Sequence, residues 1–343
     1  MATITFKPKA VVKRLLMALP ERARNVIVSR YGLGTSADRM TLESIGSTYK
    51  ITRERVRQIE NYAFTTIRKS EHYKKEKASF EELEKSIADL GGVVPEAEFL
   101  EHLSKDESTQ NHFHFLLVLG DSFKKKKEDL DFHHRWYVSP DIADQVEGSL
   151  RKLYQNMPDD SLIPESEMIS NFLDTVKDVS EHYKEEEIVR RWLSLSKKIA
   201  KNPLGEWGVA ASSNVRAKGM RDFAYLAIRR HGSPMHFSEV AKAIQKLFDR
   251  KAHVATCHNE LIKDPRFVLV GRGLYALSEW GYSSGVVKDV IRDVIKKYGP
   301  MTKDQIIEKV LKERYVKPNT VLVNLQNSSV FKKGKEGKYT LSA

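Results

Sequence analysis

The sequence predicts a mainly α-helical protein. Two short helices joined by a tight turn near the N-terminus are followed by about four repeated units, each of helices closed by a small β-hairpin. Three observations carry this expectation. Apolar residues recur at helical spacing between residues 10 and 67. An aromatic residue before an apolar strand end recurs at Tyr137, Trp207, Tyr275 and Tyr339, at intervals of 70, 68 and 64 positions. The length of 343 residues exceeds one small domain, and a hydrophobic share of 41% is enough for several cores.

From the N-terminus, Ala10, Val11, Leu15, Leu16 and Leu19 form an apolar stripe, Pro20 interrupts it, and Val26, Ile27 and Tyr31 resume it. Gly32 to Ser36 reads as a loop. Thr41 can cap a helix from Leu42 to Tyr49, Lys50-Ile51-Thr52 reads as a tight turn, and Thr52 can cap a second helix from Arg53 to about Arg68. This is the helix-turn-helix pattern. At 100° per residue, Val56, Ile59, Ala63 and Ile67 cluster on one side of the second helix. Glu54, Arg57, Gln58 and Asn61 lie opposite, with Arg53 and Arg55 at their flank. Arg suits guanine O6 and N7, Gln or Asn suits adenine, and Glu accepts from cytosine N4. An ordinary amphipathic helix with a solvated face explains the stripe but not the groove-suited choice of polar residues. DNA-binding residues are therefore expected at Arg53, Glu54, Arg55, Arg57, Gln58 and Asn61, with Thr52 near phosphate.

The remainder repeats. Ile228-Arg229-Arg230-His231-Gly232-Ser233-Pro234-Met235 aligns with Ile295-Lys296-Lys297-Tyr298-Gly299-Pro300-Met301. Each is followed by an apolar helix, a third helix (254–262 and 321–325) and a hairpin (267–277 and 330–341). Three helices and a terminal hairpin in 60–70 residues is a winged-helix-like layout. The expected domains are 1–75, the helix-turn-helix; 76–141 and 142–212, two acidic units; 213–283; and 284–343, a basic unit. Arg272, Lys332, Lys333 and Lys335 are candidate phosphate contacts on the last two hairpins, with solvated lysines as the competing reading. Lys124 to Lys127 reads as an exposed loop or wing.

Charge is divided along the chain. Residues 1–75 carry 16 basic and 6 acidic side chains, residues 76–212 carry 17 and 28, and residues 213–343 carry 25 and 12. The two ends favour a polyanion and the middle does not, so duplex DNA is the expected partner. No apolar stretch is long enough to span a membrane and no signal peptide is evident, so a cytoplasmic, nucleoid-associated protein is expected. Cys257 is the one cysteine, which excludes a disulfide framework or multi-cysteine zinc site within the chain. His112, His114, His133 and His134 read as histidines of polar loops, and no metal, cofactor or catalytic constellation is expected.

One block of sequence resembles a known family. Leu19-Pro20-Glu21-Arg22, Arg30-Tyr31-Gly32-Leu33, Thr41-Leu42-Glu43-Ser44-Ile45-Gly46 and Thr52-Arg53-Glu54-Arg55-Val56-Arg57-Gln58-Ile59-Glu60 recur in that order in region four of the primary bacterial sigma factors. The resemblance spans about residues 10–70. It implies reading of a promoter −35 element, with base contacts from Arg53, Glu54, Arg57 and Gln58 and with Arg55 nearer phosphate, and docking on the β flap of RNA polymerase. Two departures stand out. The turn holds Tyr49-Lys50-Ile51 where the family often has Gly or a small polar residue. Only about 20 residues precede the Leu-Pro-Glu-Arg block, so the expectation is a regulator and not a complete sigma factor. Residues 215–281, through Phe223-Ala224, His236-Phe237-Ser238-Glu239-Val240 and Gly273-Leu274-Tyr275-Ala276-Leu277, resemble the HARE-type helix-turn-helix of the polymerase delta subunit and of chromatin and restriction proteins. Two other classes stay open: an adaptor whose winged helices bind polymerase or another protein, and an architectural or mobile-element DNA binder.

Overall fold

Two prolines set the first helices. Pro8 opens α1 (Pro8–Leu16) in its first turn, where the missing N–H costs nothing. Pro20, in extended conformation, caps the entry to α2 (Glu21–Tyr31). Gly32 ends α2 with φ 60°, where a Cβ would stand 2.4 Å from the Ala37 carbonyl oxygen. Helix α3 (Leu42–Tyr49) and helix α4 (Arg53–Lys69) follow, then α5 (Glu71–Lys75). The computed structural model describes residues 4–176, 183–282, 286–334 and 336–342, and it divides into two units, residues 1–200 with 207–210 and residues 201–206 with 211–343.

In the first unit, α6 (Lys77–Asp89), β1 (Val93–Pro95), α7 (Glu96–Leu103) and α8 (Glu107–Leu119) lead to the hairpin of β2 (Lys124–Lys126) and β3 (Arg135–Tyr137). Strand β3 is central, pairing antiparallel with both β1 and β2. The pattern recurs through α9 (Pro140–Gln155), α10 (Glu165–Thr175), α11 (Glu186–Leu193), β4 (Ile199–Lys201) and β5 (Trp207–Val209), where a single bridge from Ile163 to Trp207 stands in for the leading strand.

In the second unit the order is α12 (Met220–His231), β6 (Met235–His236), α13 (Phe237–Phe248), α14 (Val254–Lys263), β7 (Phe267–Gly271) and β8 (Leu274–Leu277). It repeats as α15 (Val287–Tyr298), β9 (Met301–Thr302), α16 (Lys303–Glu313), α17 (Pro318–Leu325), β10 (Phe331–Lys333) and β11 (Lys338–Leu341). The protein is thus mainly helical with small sheets, and each sheet ends on its hairpin. Among the described residues no helix is long and apolar enough to cross a membrane.

The sequence suggests a separate helix-turn-helix ending near residue 75, but the hydrophobic core runs on through that position. Val11, Leu15, Ile27, Tyr31, Ala63 and Ile67 share one buried cluster with Phe80, Leu83, Phe113, Phe115 and Leu116. Helix α8 is the reason. It carries Phe113, Phe115, Leu116, Leu117 and Leu119, all buried, and helices apolar on most sides seek burial on most sides. It packs across α1 and α2. The two acidic stretches are also joined: the indole N–H of Trp192 donates to the Gly91 carbonyl (3.0 Å) and Arg191 donates to the Leu90 carbonyl (3.2 Å).

One expectation is narrowed here and one corrected. The Lys124–Lys127 run lies on a hairpin, as the wing reading has it, but it is not exposed throughout: Lys124 and Lys127 are exposed, and Lys125 and Lys126 are half-buried. Three of its lysines form β2, with Lys125 paired to Glu96 (2.5 Å) and Lys126 to Asp144 (2.6 Å) and Glu147 (3.1 Å), because the neighbouring acidic residues draw them in. Glu147 is itself buried and takes a second cation, buried Arg135, at 2.7 Å. His112 and His114 are not on polar loops. Both lie on α8 and face its packing partners, and His112 is bonded to the Ser108 carbonyl.

His114 makes stability depend on acid. Its Nδ1 is buried without a hydrogen-bond partner, and Glu96 approaches its Nε2 at 3.7 Å. Burial pushes the imidazole down from 6.5 to about 4, against the pull of Glu96. The folded state holds this group neutral while the unfolded chain takes a proton below 6.5. Stability is therefore complete above pH 6.5 and falls as pH drops towards 4, by on the order of 3 kcal/mol for this one group. His112, also lowered by burial, adds in the same direction. Urea denaturation at pH 7 and pH 5 should show the loss, and His114→Gln should reduce it. An unchanged pH dependence in that variant would contradict the assignment.

Candidate nucleic-acid interface

The helix-turn-helix is built by local bonds. The Thr41 hydroxyl oxygen accepts from the Ser44 N–H at 3.1 Å and starts α3. At the other end the Ile51 N–H donates to the Gly46 carbonyl at 2.9 Å, and Lys50 takes φ 54° and ψ 44°. This left-handed conformation is costly for a lysine, and the turn here accepts it. Gly46 is required for a different reason: a Cβ there would sit 2.6 Å from the Ile51 carbonyl oxygen. Thr52 then caps α4, its hydroxyl accepting from the Arg55 N–H at 3.2 Å. Val26, Ile45 and Val56 form a small buried core that clamps α2, α3 and α4, with Met40, Leu42, Tyr49, Ile51 and Ile59 packed around it.

Against that core, α4 turns Arg53, Glu54, Arg55, Arg57, Gln58 and Asn61 to solvent. All six sequence-predicted residues are exposed; Glu54, Arg57, Gln58 and Asn61 share the face opposite Val56 and Ala63, and Arg53 and Arg55 flank it. They are ordered by each other. Arg57 grips Glu54 in a two-pronged ion pair (2.9 and 2.7 Å), which holds the Glu54 carboxyl below its usual range and raises the Arg57 guanidinium. Arg55 donates to the Gln58 side-chain oxygen at 2.9 Å. Both pairs are open to water, so they cost little to exchange for a ligand. The arrangement presents alternating donors and acceptors along the first two turns of a helix, near the end that carries the positive partial charge.

The rear of α4 is held by residues the sequence reading did not assign. Arg68 donates to the Leu119 carbonyl (3.0 Å) and pairs with Asp121 (3.3 Å). The Tyr31 hydroxyl donates to Glu60 at 2.9 Å, and burial next to that carboxylate raises its pKa. The Tyr31 ring meets Phe64 and Phe115 edge-on. Asn111 of α8 donates to the Ala37 (2.7 Å) and Gly32 (3.2 Å) carbonyls and accepts from Arg39 (2.6 Å), tying the loop before α3 to α8. The aromatic run Phe113 to Phe115, followed by four more apolar residues before Gly120, was the signal available for this support. Beside the exposed face lies an open hollow lined by Pro20, Arg22, Ala23, Arg55, Gln58, Ile59 and Tyr62.

The other candidate contacts fall elsewhere. Thr52 is exposed at the start of α4, where its hydroxyl oxygen accepts in the cap and its O–H is left to donate. Arg272 is exposed between β7 and β8, and Lys332 and Lys333 are exposed on β10. Lys335 lies outside the described residues. Cys257 is buried in α14, and burial raises its thiol to about 11.

Comparison with known proteins bears on the first of these surfaces. The family "Sigma-70, region 4" matches residues 15–69. The chain is similar to the RNA polymerase sigma factor RpoD of Helicobacter pylori strain ATCC 700392 / 26695, at 42% identity over 64 residues, 19% of this chain and 10% of that protein. The protein of the same name from strain J99 / ATCC 700824 is likewise 42% identical over 64 residues, covering 19% and 9%. The chain thus spans about a tenth of the length of the curated relatives it matches. The matched segment contains α2, α3 and α4, and with them every residue of the exposed α4 face.

Proposed function

We propose that this protein is a transcription regulator that binds duplex DNA through α4, reads a promoter-like element in the major groove, and associates with RNA polymerase. The observation that carries the reading is the exposed row Arg53, Glu54, Arg57, Gln58 and Asn61 on the second helix of a capped helix-turn-helix, within a segment similar to sigma region 4. Arg57 would engage guanine, Gln58 adenine and Glu54 a cytosine amino group. Arg55 and Thr52 would lie beside phosphate. The four helical repeats are read as winged-helix modules, the one at residues 213–283 being of the HARE type, and the chain as a cytoplasmic, nucleoid-associated regulator with no enzymatic step.

Contact with polymerase is assigned to the open side of the helix-turn-helix. The faces of α1 and α2 that meet α8 are filled. The hollow between Pro20, Ala23, Ile59 and Tyr62 is apolar at its base and edged by Arg22 and Arg55, and Tyr62 is 55% exposed. The β flap is the element of polymerase proposed to meet it. Capture of the full chain from native lysate should bring down polymerase with and without nuclease, and a photo-crosslinker at Tyr62 should label the β subunit. Polymerase lost on nuclease treatment, with no crosslink, would remove this half of the proposal.

A specific observation favours protein contact for one module. The outward face of α14 holds Ala255, Thr256, Asn259 and Ile262, the last 61% exposed, and the one exposed cation, Lys263, is offset by half-buried Glu260 on the same helix. A helix lying on phosphates needs more cations than this.

A further inference from the structure

The two modules of the second unit share one element order but use their hairpins differently. Strands β7 and β10 are the corresponding edges, since each sheet places its last strand (β8 or β11) centrally. The β7 edge is covered by the neighbouring module. Buried Arg314, between α16 and α17, donates to the Leu269 carbonyl, and the Tyr315 carbonyl oxygen comes so close to Gly271 that a Cβ there would lie 3.0 Å from it. The β7–β8 hairpin carries a single charge, Arg272, as suits a strand that seats another module. The β10–β11 hairpin has the opposite chemistry. Residues 331–341 include Lys332, Lys333, Lys335, Lys338 and Glu336. Lys332 and Lys333 stand exposed on β10, opposite Thr340 and Tyr339 of β11. Lys338 meets the exposed Glu336 across 3.2 Å.

The third helix of this module does not share that charge. The outward residues of α17 are Asn319, Thr320 and Val323, all neutral, and Lys317 stands at its start. The cations have moved from the helix to the hairpin, and polyanion affinity follows cations.

We propose that the β10–β11 hairpin is a second DNA contact, a sequence-independent clamp in which Lys332 and Lys333 meet the phosphates of a duplex whose sequence is read elsewhere. The inference rests on the proposal that the protein binds duplex DNA. It does not depend on which helix reads the sequence. Lysines on an edge strand also discourage strand pairing between copies, and the test separates the two roles.

The test is a salt titration of the full chain on a duplex without the preferred element, comparing wild type, Lys332→Gln/Lys333→Gln and Lys332→Arg/Lys333→Arg, with the mass of each protein measured in the same buffers. Each phosphate contact contributes about 0.9 to the slope of log affinity against log salt, so the Gln variant should lose about 2 from the slope. The advantage of wild type over it should shrink about tenfold between 50 and 200 mM salt. The Arg variant should keep the wild-type slope, and preference for a selected duplex should be unchanged in both. An unaltered slope and affinity in the Gln variant would overturn the proposal, as would self-association of that variant with its slope intact, or loss of polymerase capture with DNA binding unchanged. A wild type that binds duplex with no sequence preference, but with the predicted loss of slope in the Gln variant, would instead remove the reading by α4 and leave the clamp standing.

Discussion

Phe115→Ala is expected to lower the unfolding free energy of the first unit by about 3–5 kcal/mol. Phe115 has no solvent exposure. Its ring stacks on Phe64 of α4 at 5.9 Å and meets Tyr31 of α2 edge-on at 5.4 Å. Each aromatic pair adds about 0.5–1.5 kcal/mol beyond buried area, and the cavity left by truncation adds to the loss. The distinguishing feature is where the loss appears. Phe115 lies some fifty residues beyond α4 in sequence, yet α4 leans on it. Hydrogen exchange should show the amides of α4 losing protection together with those of α8. Protection of α4 that survives this substitution unchanged would mean that the helix-turn-helix folds by itself, contrary to the continuous core.

Arg57→Ala and Gln58→Ala are each expected to weaken binding to a preferred duplex by about 1–3 kcal/mol. Both side chains are fully presented, so little stability should be lost with them. The ion pair of Arg57 with Glu54 does not protect the site, because exposed pairs contribute about 0–1 kcal/mol and a bidentate guanine contact exceeds that. Equilibrium binding at one fixed salt concentration, with unfolding curves as a control, checks both variants. Loss of affinity for every duplex alike would assign these residues to the backbone instead of the bases.

What the sequence made legible was the locally determined part. Thr41 and Thr52 are side-chain caps in sequence and in space, the tight turn falls at Lys50-Ile51-Thr52, and the helices at 42–49 and 53–69 begin where the caps place them. Each of these is decided by neighbours within a few residues. The partners behind α4 were not legible beyond the apolar run of α8, because Asn111, Phe115 and Leu119 act across about 50 to 80 positions of sequence. The half-burial of Lys125 and Lys126 was not legible for a similar reason. Their charge suggested solvent, and only the fold brings Glu96, Asp144 and Glu147 beside them. The docking of Arg314 on β7 has no sequence signal, since a buried arginine and a surface arginine are the same letter.

The most direct test of reading by α4 is selection from a pool of random duplexes by the full-length protein and by Arg57→Ala, in parallel and at equal salt. The account predicts one enriched element for the wild type, containing a guanine that the variant no longer requires while the other positions persist. An identical element enriched by both proteins, or none enriched by the wild type, would contradict it.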